Sequence, residues 1–394
     1  MNLNPTPEQA AFADELRTWL MSNITWEYGS TPPRPADLAE RVSSGREWQR
    51  TLAEGRYVAV AWPEEHGGRG LGPVEHFIAQ QELARAGAPE LVGRMGLNLV
   101  GPTLLAHGTP AQRSRWLRPI LQGDELWCQL FSEPDAGSDL ASLKTTAHRV
   151  EGGWVLNGQK VWTSYAQFAD WAICLARTDP DAAKQAGLTY FVVNMRDPGV
   201  ECRPLVQITG ESEFNQVFLS DVFVPDDQLI GEENAGWRIA NTTLGYERGL
   251  NPRQQVTHSQ LLEDLWHLAD ENGALDDPET ARELAQAFIE IRIFQLHNLR
   301  TLSRLAKGGE PGPQGSVAKL WWSEMSQRFH RIALRVLGDA APLSDGAAGN
   351  PGDGKWQRSW LYYHAATIMG GTSEVQRNII SERVLGLPRE SSRT

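Results

Sequence analysis

The sequence predicts a mainly helical protein with a central antiparallel β domain. Helix-start signals and a helical apolar period fill the first third of the chain, short β-type runs occupy the middle, and long helical stripes return after Gly236. A chain of 394 residues exceeds what one hydrophobic core serves, so we expect separate units. We predict a helical unit at 1–125, a β unit at 126–232 and a helical bundle at 233–394.

The helical N-terminal unit is predicted from two capping boxes. Thr6-Pro7-Glu8-Gln9 and Thr109-Pro110-Ala111-Gln112 each combine a threonine cap, a proline in the first turn and a glutamine three residues after the cap. The glycine cluster at 67–72 lacks the spacing and the preceding strand of a dinucleotide-binding loop. We therefore interpret it as a turn.

In the middle unit, the β-type runs are Trp171–Ala176, Tyr190–Val193 and Val217–Val224. Turns are predicted at Glu151-Gly152-Gly153 and at Asn157-Gly158. The last helix is predicted over Glu374–Leu385, before Gly386 and Pro388.

The composition excludes several classes of function. The formal net charge of −12 argues against a nucleic-acid or anionic-membrane partner. The three cysteines lack metal-ligand spacing and form no even set for disulfides, so we expect no metal and a reducing compartment. No run approaches the ~18 apolar residues of a membrane span, and the N-terminus lacks a secretion signal. We expect a cytoplasmic protein.

The stretch Trp127–Ser164 contains the first candidate site. Small polar residues at 132–139 follow a mixed apolar segment, and a later period-two segment ends in Val161-Trp162-Thr163-Ser164. Glycine lets backbone approach a ligand closely, and successive N–H groups with serine hydroxyls can hold an anion. With a broad aromatic ring nearby, the pattern suits a flat, phosphate-bearing cofactor. An ordinary sheet with a serine-rich turn explains these residues equally well.

The second candidate is an acid on an apolar helix face. On a helix, Glu247 shares one stripe with Trp237, Ala240 and Leu244. A carboxylate in such a place is costly without a partner, which favours the role of a general base. Arg248 adjoins it and could hold an anionic or carbonyl group. A structural Glu–Arg pair that reaches a neighbouring helix is the alternative, and the residues alone favour that alternative.

Four blocks of the chain resemble acyl-CoA dehydrogenases in order and spacing, over essentially the full length. They are Ser132–Asp139, Asn157–Ser164, Asp221–Pro225 and Gly371–Arg377. The resemblance implies a helical N-terminal domain, a β-barrel-like middle domain and a C-terminal four-helix bundle, with FAD between the β domain and the bundle.

The same resemblance implies which residues contact the ligands. The implied cofactor residues are Gln129, Phe131, Ser132, Gly137, Ser138, Trp162, Thr163, Ser164, Thr372 and Glu374. Trp162 would stack near the ring system, and Thr163 and Ser164 would form hydrogen bonds close to its reactive edge. Ser138 and Arg248 would contact the acyl-CoA substrate.

Enzymes of this family remove a proton from the α-carbon of an acyl-CoA while hydride leaves the β-carbon for the flavin. Their usual base precedes the Gly-Thr of the last block, where this chain has Gly370. A minority place the glutamate on the first bundle helix, in a segment that Leu244–Arg248 resembles. The resemblance therefore implies Glu247 as the base and the Gly370 N–H as a donor to the thioester oxygen.

Two further family motifs are replaced, at 271–275 and 335–341. Both normally reach the ADP half of a neighbouring subunit's FAD. The losses resemble bacterial dehydrogenases that pair two different subunits, several of which act on steroid side-chain thioesters. We expect a homotetramer or a heterotetramer with a related subunit, with an electron-transfer flavoprotein as acceptor. A catalytically silent partner subunit and a flavin oxidase or monooxygenase remain alternatives.

Overall fold

The structure, a computed structural model, describes residues 5–247, 250–309 and 312–389, and of Glu247 the backbone alone. The N-terminal stretch is helical, with α1 (Pro7–Asn23), α2 (Leu38–Glu54), α3 (Pro73–Arg85), α4 (Gly101–His107) and α5 (Pro110–Gln122).

Both predicted capping boxes form. The Thr6 hydroxyl accepts from the Gln9 N–H at 3.3 Å, and the Gln9 side chain accepts from the Thr6 N–H at 3.0 Å. The second box repeats these two bonds before α5.

One seven-stranded sheet follows. Its strands are β1 (Trp127–Leu130), β2 (Thr146–Val150), β3 (Gly153–Ser164), β4 (Trp171–Arg177), β5 (Leu188–Asn194), β6 (Val200–Leu205) and β7 (Phe214–Pro225). The order is β1-β4-β2-β3-β7-β6, and β5 also pairs with β4. Most pairs are antiparallel, as predicted, whereas β1 and β2 run parallel to β4. The predicted limits of the three units stay predictions.

The predicted turn at Asn157-Gly158 is wrong, whereas the turn at residues 151–152 joins β2 to β3. β3 continues through this dipeptide with a shift of register against β7. The Asn157 side chain exchanges two hydrogen bonds of 2.9 Å with Asp221. A Cβ on Gly158 would lie 2.4 Å from the Thr145 hydroxyl, so glycine is needed there. The dipeptide therefore marks a bulge with close strand contact, rather than a hairpin.

The C-terminal stretch is again helical. It contains α6 (Gly236–Glu247), α7 (Pro252–Glu271), α8 (Pro278–Leu305), α9 (Gly315–Leu337), α10 (Lys355–Tyr363) and α11 (Ser373–Ile379). The predicted last helix ends as an α-helix at Ile379 and continues as a wider π-helical turn over Ile380–Val384. These helices share a core that includes Leu265, Leu284, Phe294, Phe329 and Trp356. Within the described ranges, no helix combines the length and apolar character of a membrane span.

Two histidines are buried inside this C-terminal core. His258 of α7 contacts the Gln254 carbonyl through Nδ1 at 2.8 Å and the Ser326 hydroxyl through Nε2 at 2.9 Å. His330 of α9 stacks on Tyr363 with ring centroids 4.4 Å apart. Burial lowers the pKa of His258 to about 4 and the pKa of His330 to about 3. Both imidazoles are therefore neutral at pH 7.

Acidification is expected to destabilise this bundle. The unfolded chain binds protons on these imidazoles near the ordinary pKa of 6.5, whereas the folded chain resists protonation of His258 until about 4. The histidine contribution to stability is thus complete above pH 6.5 and is lost as the pH falls toward about 4. Thermal unfolding followed across this pH window should show Tm falling with acidity.

The double variant His258→Gln, His330→Gln should flatten this part of the Tm-against-pH curve. The exposed His364→Gln variant serves as the control and should keep the wild-type slope. An unchanged slope in the double variant would contradict the assignment of the acid sensitivity to these two groups.

Candidate active site

A buried ion pair ties together the two sequence blocks that carry the candidate cofactor residues. The ammonium of Lys160, in β3, lies 2.9 Å from Glu133, and both side chains are buried. The same ammonium donates to the carbonyls of Phe131 and Leu175 at 3.2 and 2.8 Å. The Glu133 carboxylate also accepts hydrogen bonds from the backbone amides of residues 144 and 145. Every charged atom therefore has partners, which a stable buried pair requires.

The surroundings of this carboxylate decide its protonation. Burial alone opposes the charged form, but the positive charge of Lys160 and the hydrogen bonds from Thr145 and the Lys144 amide outweigh it. Together they hold the pKa of Glu133 below its usual range. The Glu133 carboxylate is therefore ionised at neutral pH, and its pair with Lys160 fixes the loop at 132–138 against β3.

Trp162 stands on a distorted part of β3. Its φ is +60°, and the register against β7 shifts between Lys160 and Thr163. A left-handed conformation in a bulky residue costs of order 1–3 kcal/mol. The indole is nevertheless 62% exposed, with Phe214 edge-on at 6.3 Å, and Ser164 ends the strand half-buried. An aromatic ring held outward in this way offers a flat face for stacking.

Two buried polar groups on the same segments lack a partner among the described residues. They are Thr163 Oγ1 in β3 and Gln129 Nε2 in β1. The intervening residues join the two segments, since Phe131 is buried and the Ser132 carbonyl accepts from the Val161 N–H at 2.9 Å. Buried polar groups are normally satisfied. The hydrogen-bonding edge of an isoalloxazine would satisfy both, so these residues fit FAD.

The loop at 132–138, which follows β1, is closed by backbone hydrogen bonds and is exposed on its outer side. Glu133 and Ala136 exchange two backbone hydrogen bonds of 3.1 Å. Gly137 and Ser138 are exposed, and a Cβ added at Gly137 would meet no atom within 4 Å. Ligand atoms can therefore approach the backbone closely at this point.

Helix α6, which ends at Glu247, is seated directly on the sheet. A Cβ on Gly236 would lie 2.6 Å from the backbone of Thr189 in β5, so glycine is required for this approach. Ala240 of the predicted stripe is fully buried, and Trp237 and Leu244 pack against the N-terminal core. The three apolar members of the predicted stripe, Trp237, Ala240 and Leu244, therefore face inward.

Buried hydroxyls fix the same helix at its middle. The hydroxyl of Thr243 lies 2.9 Å from that of Thr103 in α4 and 3.1 Å from that of Tyr190 in β5. These contacts fix the orientation of α6, and therefore the position of its C-terminal residue, Glu247. The side chain of Glu247 and the whole of Arg248 lie outside the described residues, so their roles stay predictions.

The loop before α11 contains two glycines whose backbone groups are available for hydrogen bonds. Gly370 and Gly371 both have positive φ, +63° and +88°. The Gln376 amide donates to both of their carbonyls at 3.0 and 3.1 Å, and Lys319 donates to the Gly371 carbonyl at 2.7 Å. No described residue accepts a hydrogen bond from the Gly370 N–H, which leaves that amide available as a donor. Glycine at this position cannot take up a proton.

Thr372 and Glu374 line a groove of about 710 Å³ beside α9 and α10. None of the other predicted cofactor residues that the structure describes lines this groove. The Thr372 hydroxyl accepts from the Val375 N–H at 3.2 Å and caps α11. The groove also contains Arg331 and Trp360. The predicted cofactor residues therefore form two groups, one around Trp162 and one at this groove.

Sequence reasoning missed a polar cluster at the junction of the three stretches. It comprises Glu90 and Arg94 between α3 and α4, Tyr165 after β3, and Arg253 and Tyr362 of the C-terminal helices. The four-residue spacing of Glu90 and Arg94 was a visible signal of an ion pair. Nothing in the sequence indicates that positions 94, 165 and 362 meet.

Comparison with known proteins identifies the family. The model for the acyl-CoA dehydrogenase N-terminal domain matches residues 6–124, that for the middle domain 128–222, and that for the C-terminal domain 234–385. The chain therefore belongs to the acyl-CoA dehydrogenase family. It is an oxidoreductase acting on acyl-CoA, and its cofactor is FAD.

Several relatives resemble the chain over its full length. Acyl-CoA dehydrogenase IpdE1 of Mycobacterium tuberculosis is 42% identical over 384 residues, which cover 96% of this chain and 98% of the relative. The solved ChsE4–ChsE5 complex from Mycobacterium tuberculosis is 32% identical with a TM-score of 0.83, covering 99% of this chain and 100% of that chain. The Tcur3481–Tcur3483 steroid ACAD is 29% identical with a TM-score of 0.85 and the same coverage. The predicted fold class is thereby confirmed.

Substitution of Lys160 tests the buried pair. Lys160→Met leaves the Glu133 carboxylate buried without its counter-charge, and we expect a loss of about 3–5 kcal/mol in the free energy of unfolding. Urea denaturation measures this change, and FAD retention should fall with it. The double variant Glu133→Gln, Lys160→Met should recover most of the loss.

Lys184→Met provides the matched control, because Lys184 forms an exposed pair with Asp139. Exposed pairs contribute little, so its unfolding midpoint should stay near that of the wild type. Equal midpoints for the Lys160 and Lys184 variants would argue against a structural role for the buried pair.

Proposed function

We propose that the chain catalyses FAD-dependent α,β-dehydrogenation of an acyl-CoA thioester with Glu247 as the base. One observation carries the assignment. Gly370, at the usual position of the family's base, presents a free backbone donor, while the buried hydroxyls of α6 fix the helix that ends at Glu247. The loop can thus polarise the substrate, and the helix end supplies the carboxylate.

In this mechanism the Glu247 carboxylate takes the proton from the α-carbon. The Gly370 N–H donates to the thioester oxygen, where negative charge develops as that C–H bond breaks. When bound, FAD would supply the redox chemistry, as the acceptor of the hydride that leaves the β-carbon when the carbon–carbon double bond forms. Trp162 would stack near its ring system, and Thr163 and Ser164 would form hydrogen bonds with its edge. Arg248 and Ser138 position the thioester.

The FAD site is proposed to need a related subunit. At the two replaced motifs, the side chains make contacts within this chain. Asn272 donates to the Val336 carbonyl at 2.7 Å. Arg335 pairs with Glu279 and Glu283, each at 3.2 Å. Residues engaged in this way are poorly placed to reach the ADP half of a second FAD.

The names of two relatives agree with such an assembly, since the ChsE4–ChsE5 and Tcur3481–Tcur3483 structures each contain two different chains. We propose a heterotetramer, with a homotetramer as the alternative, that accepts bulky acyl groups of the steroid type in the cytoplasm. An electron-transfer flavoprotein is the proposed acceptor.

Glu247→Gln tests the base. The amide keeps the shape of the side chain but cannot take the proton, so turnover should fall roughly 10²–10⁴-fold. The measurement is reduction of an artificial electron acceptor by a panel of CoA thioesters, with the flavin spectrum recorded to show that FAD stays bound. The exposed Glu263→Gln on α7 is the control and should keep wild-type turnover. Wild-type turnover in Glu247→Gln would remove this residue from the mechanism.

The FAD content of the chain produced alone tests the need for a partner. We expect less than one FAD per chain alone and a higher ratio after co-expression with a related subunit, because the ADP contacts are missing. Absorbance of the purified protein gives the ratio, and light scattering gives the assembly. A fully loaded homotetramer would contradict the need for a partner.

The missing ADP contacts also favour a second candidate, a catalytically silent partner subunit. Anaerobic addition of an acyl-CoA separates the two functions. In the co-expressed complex, flavin bleaching that is lost in the Glu247→Gln variant supports catalysis by this chain. Bleaching that persists in that variant supports the silent role. Oxygen consumption without an added acceptor would instead indicate an oxidase.

A further inference from the structure

The donor loop, residues 367–372, carries the Gly370 N–H and is held by polar contacts rather than by packing. None of its residues is buried, and the Ile368 side chain is 66% exposed. The Met369 N–H donates to the Ala365 carbonyl at 2.9 Å. The next three backbone amides find no acceptor among the described residues. Neither a core nor regular backbone pairing therefore fixes the direction of the Gly370 N–H.

Lys319 of α9 connects the donor loop to the interior of the bundle. Its Nζ donates to the Gly371 carbonyl at 2.7 Å and to the Ala366 carbonyl at 3.0 Å. Ala366 is fully buried, so one of these two acceptors belongs to a fixed part of the bundle. A single donor group thus joins carbonyls that lie five residues apart, which sets the distance across the loop.

Gln376 of α11 holds the same loop. Its side-chain amide donates to the Gly370 carbonyl at 3.0 Å and to the Gly371 carbonyl at 3.1 Å. The Gly371 carbonyl therefore accepts from both Lys319 and Gln376, which uses both of its lone pairs. The two glycines have positive φ and no side chains, so their backbone has many other conformations open to it without these bonds.

The helix that provides Lys319 is itself firmly anchored. Phe329 of α9 lies in the C-terminal core and is 1% exposed. Ser323, four residues after Lys319, is fully buried, and Gln327, four residues further on, donates to the Thr367 hydroxyl at 2.9 Å. Residues spaced by four share one face of a helix. This face of α9 therefore holds the donor loop at both of its ends.

We propose that Lys319 is a positioning residue that directs the Gly370 N–H at the thioester oxygen. Negative charge develops on that oxygen when the α-carbon loses its proton, and a donor displaced by about 1 Å stabilises this charge much less. The inference rests on the proposed dehydrogenation. Lys319 acts in it through the donor loop rather than on the reacting atoms.

Lys319→Met tests this role through kcat and KM. Methionine keeps an unbranched side chain but donates no hydrogen bond, so the donor loop loses its connection to α9. Because the donor matters most in the transition state, kcat for the CoA thioesters that the enzyme turns over should fall about 10- to 100-fold. KM should change by less than about threefold.

Acetoacetyl-CoA gives a second readout that needs no turnover. Its α-carbon lies between two carbonyls and loses a proton readily, whereas its β-carbon carries no hydrogen to leave as hydride. In the FAD-loaded Glu247→Gln variant the proton passes to solvent, and the ultraviolet absorbance of the enolate gives the pKa of the bound thioester. Adding Lys319→Met should raise this pKa by about 1 to 2, because the enolate oxygen is stabilised about 10- to 100-fold less.

Three further variants accompany this test. Lys319→Arg should restore part of kcat and part of the enolate pKa, because the guanidinium offers donors to both carbonyls. Gln376→Leu should change both quantities in the same direction as Lys319→Met, and it provides the same test if that variant does not retain FAD. Lys355→Met is the matched control and should keep wild-type values, since Lys355 pairs with Asp264 in the same bundle at 2.8 Å.

An enolate pKa that neither Lys319→Met nor Gln376→Leu changes would overturn the proposal. A loss of FAD or a lower Tm without a change in that pKa would also overturn it, because the contacts would then support the fold alone. A raised enolate pKa in a chain that dehydrogenates no thioester would support the positioning role while contradicting the proposed function. Turnover that depends on Glu247 but not on Lys319 would do the reverse.

Discussion

The ion pair between Glu133 and Lys160 is the constraint on which the candidate flavin site depends. It joins a loop that follows β1 to the end of β3, and three donors on the ammonium all find acceptors. Because the strand is held at Lys160, the distortion that follows turns Trp162 outward and Thr163 inward. A buried pair with complete partners specifies one arrangement, since any shift of register would leave two charges unpaired.

The proposed catalytic side depends on a second constraint, the packing of α6 on the sheet. Its first residue, Gly236, contacts β5 backbone too closely for any side chain, and Thr243 shares hydroxyl contacts with both α4 and β5. One helix thus touches the N-terminal helices and the sheet before it ends at Glu247. A base at the end of such a helix, the role proposed for Glu247, would be positioned by packing rather than by a flexible loop.

The loop before α11 offers backbone groups rather than side chains. Gly370 and Gly371 both adopt left-handed backbone that glycine favours, and Gln376 and Lys319 hold their carbonyls. This loop therefore has a backbone N–H to donate and no side chain for proton transfer at Gly370. At the replaced motifs, the side chains of Asn272 and Arg335 make contacts within the bundle itself.

The sequence by itself determined the helices, most of the strands and both capping boxes, because these follow from side-chain period and from hydrogen bonds within three or four residues. The motif resemblance also identified the family, and it predicts a cofactor site around Trp162. Tertiary structure alone decided that Asn157-Gly158 is a bulge, since the reason lies in Thr145 and Asp221 on other strands. It alone also brought Glu90 and Arg94 beside phenols more than 60 residues away in sequence. Such contacts depend on how whole elements pack, and no local pattern encodes that packing.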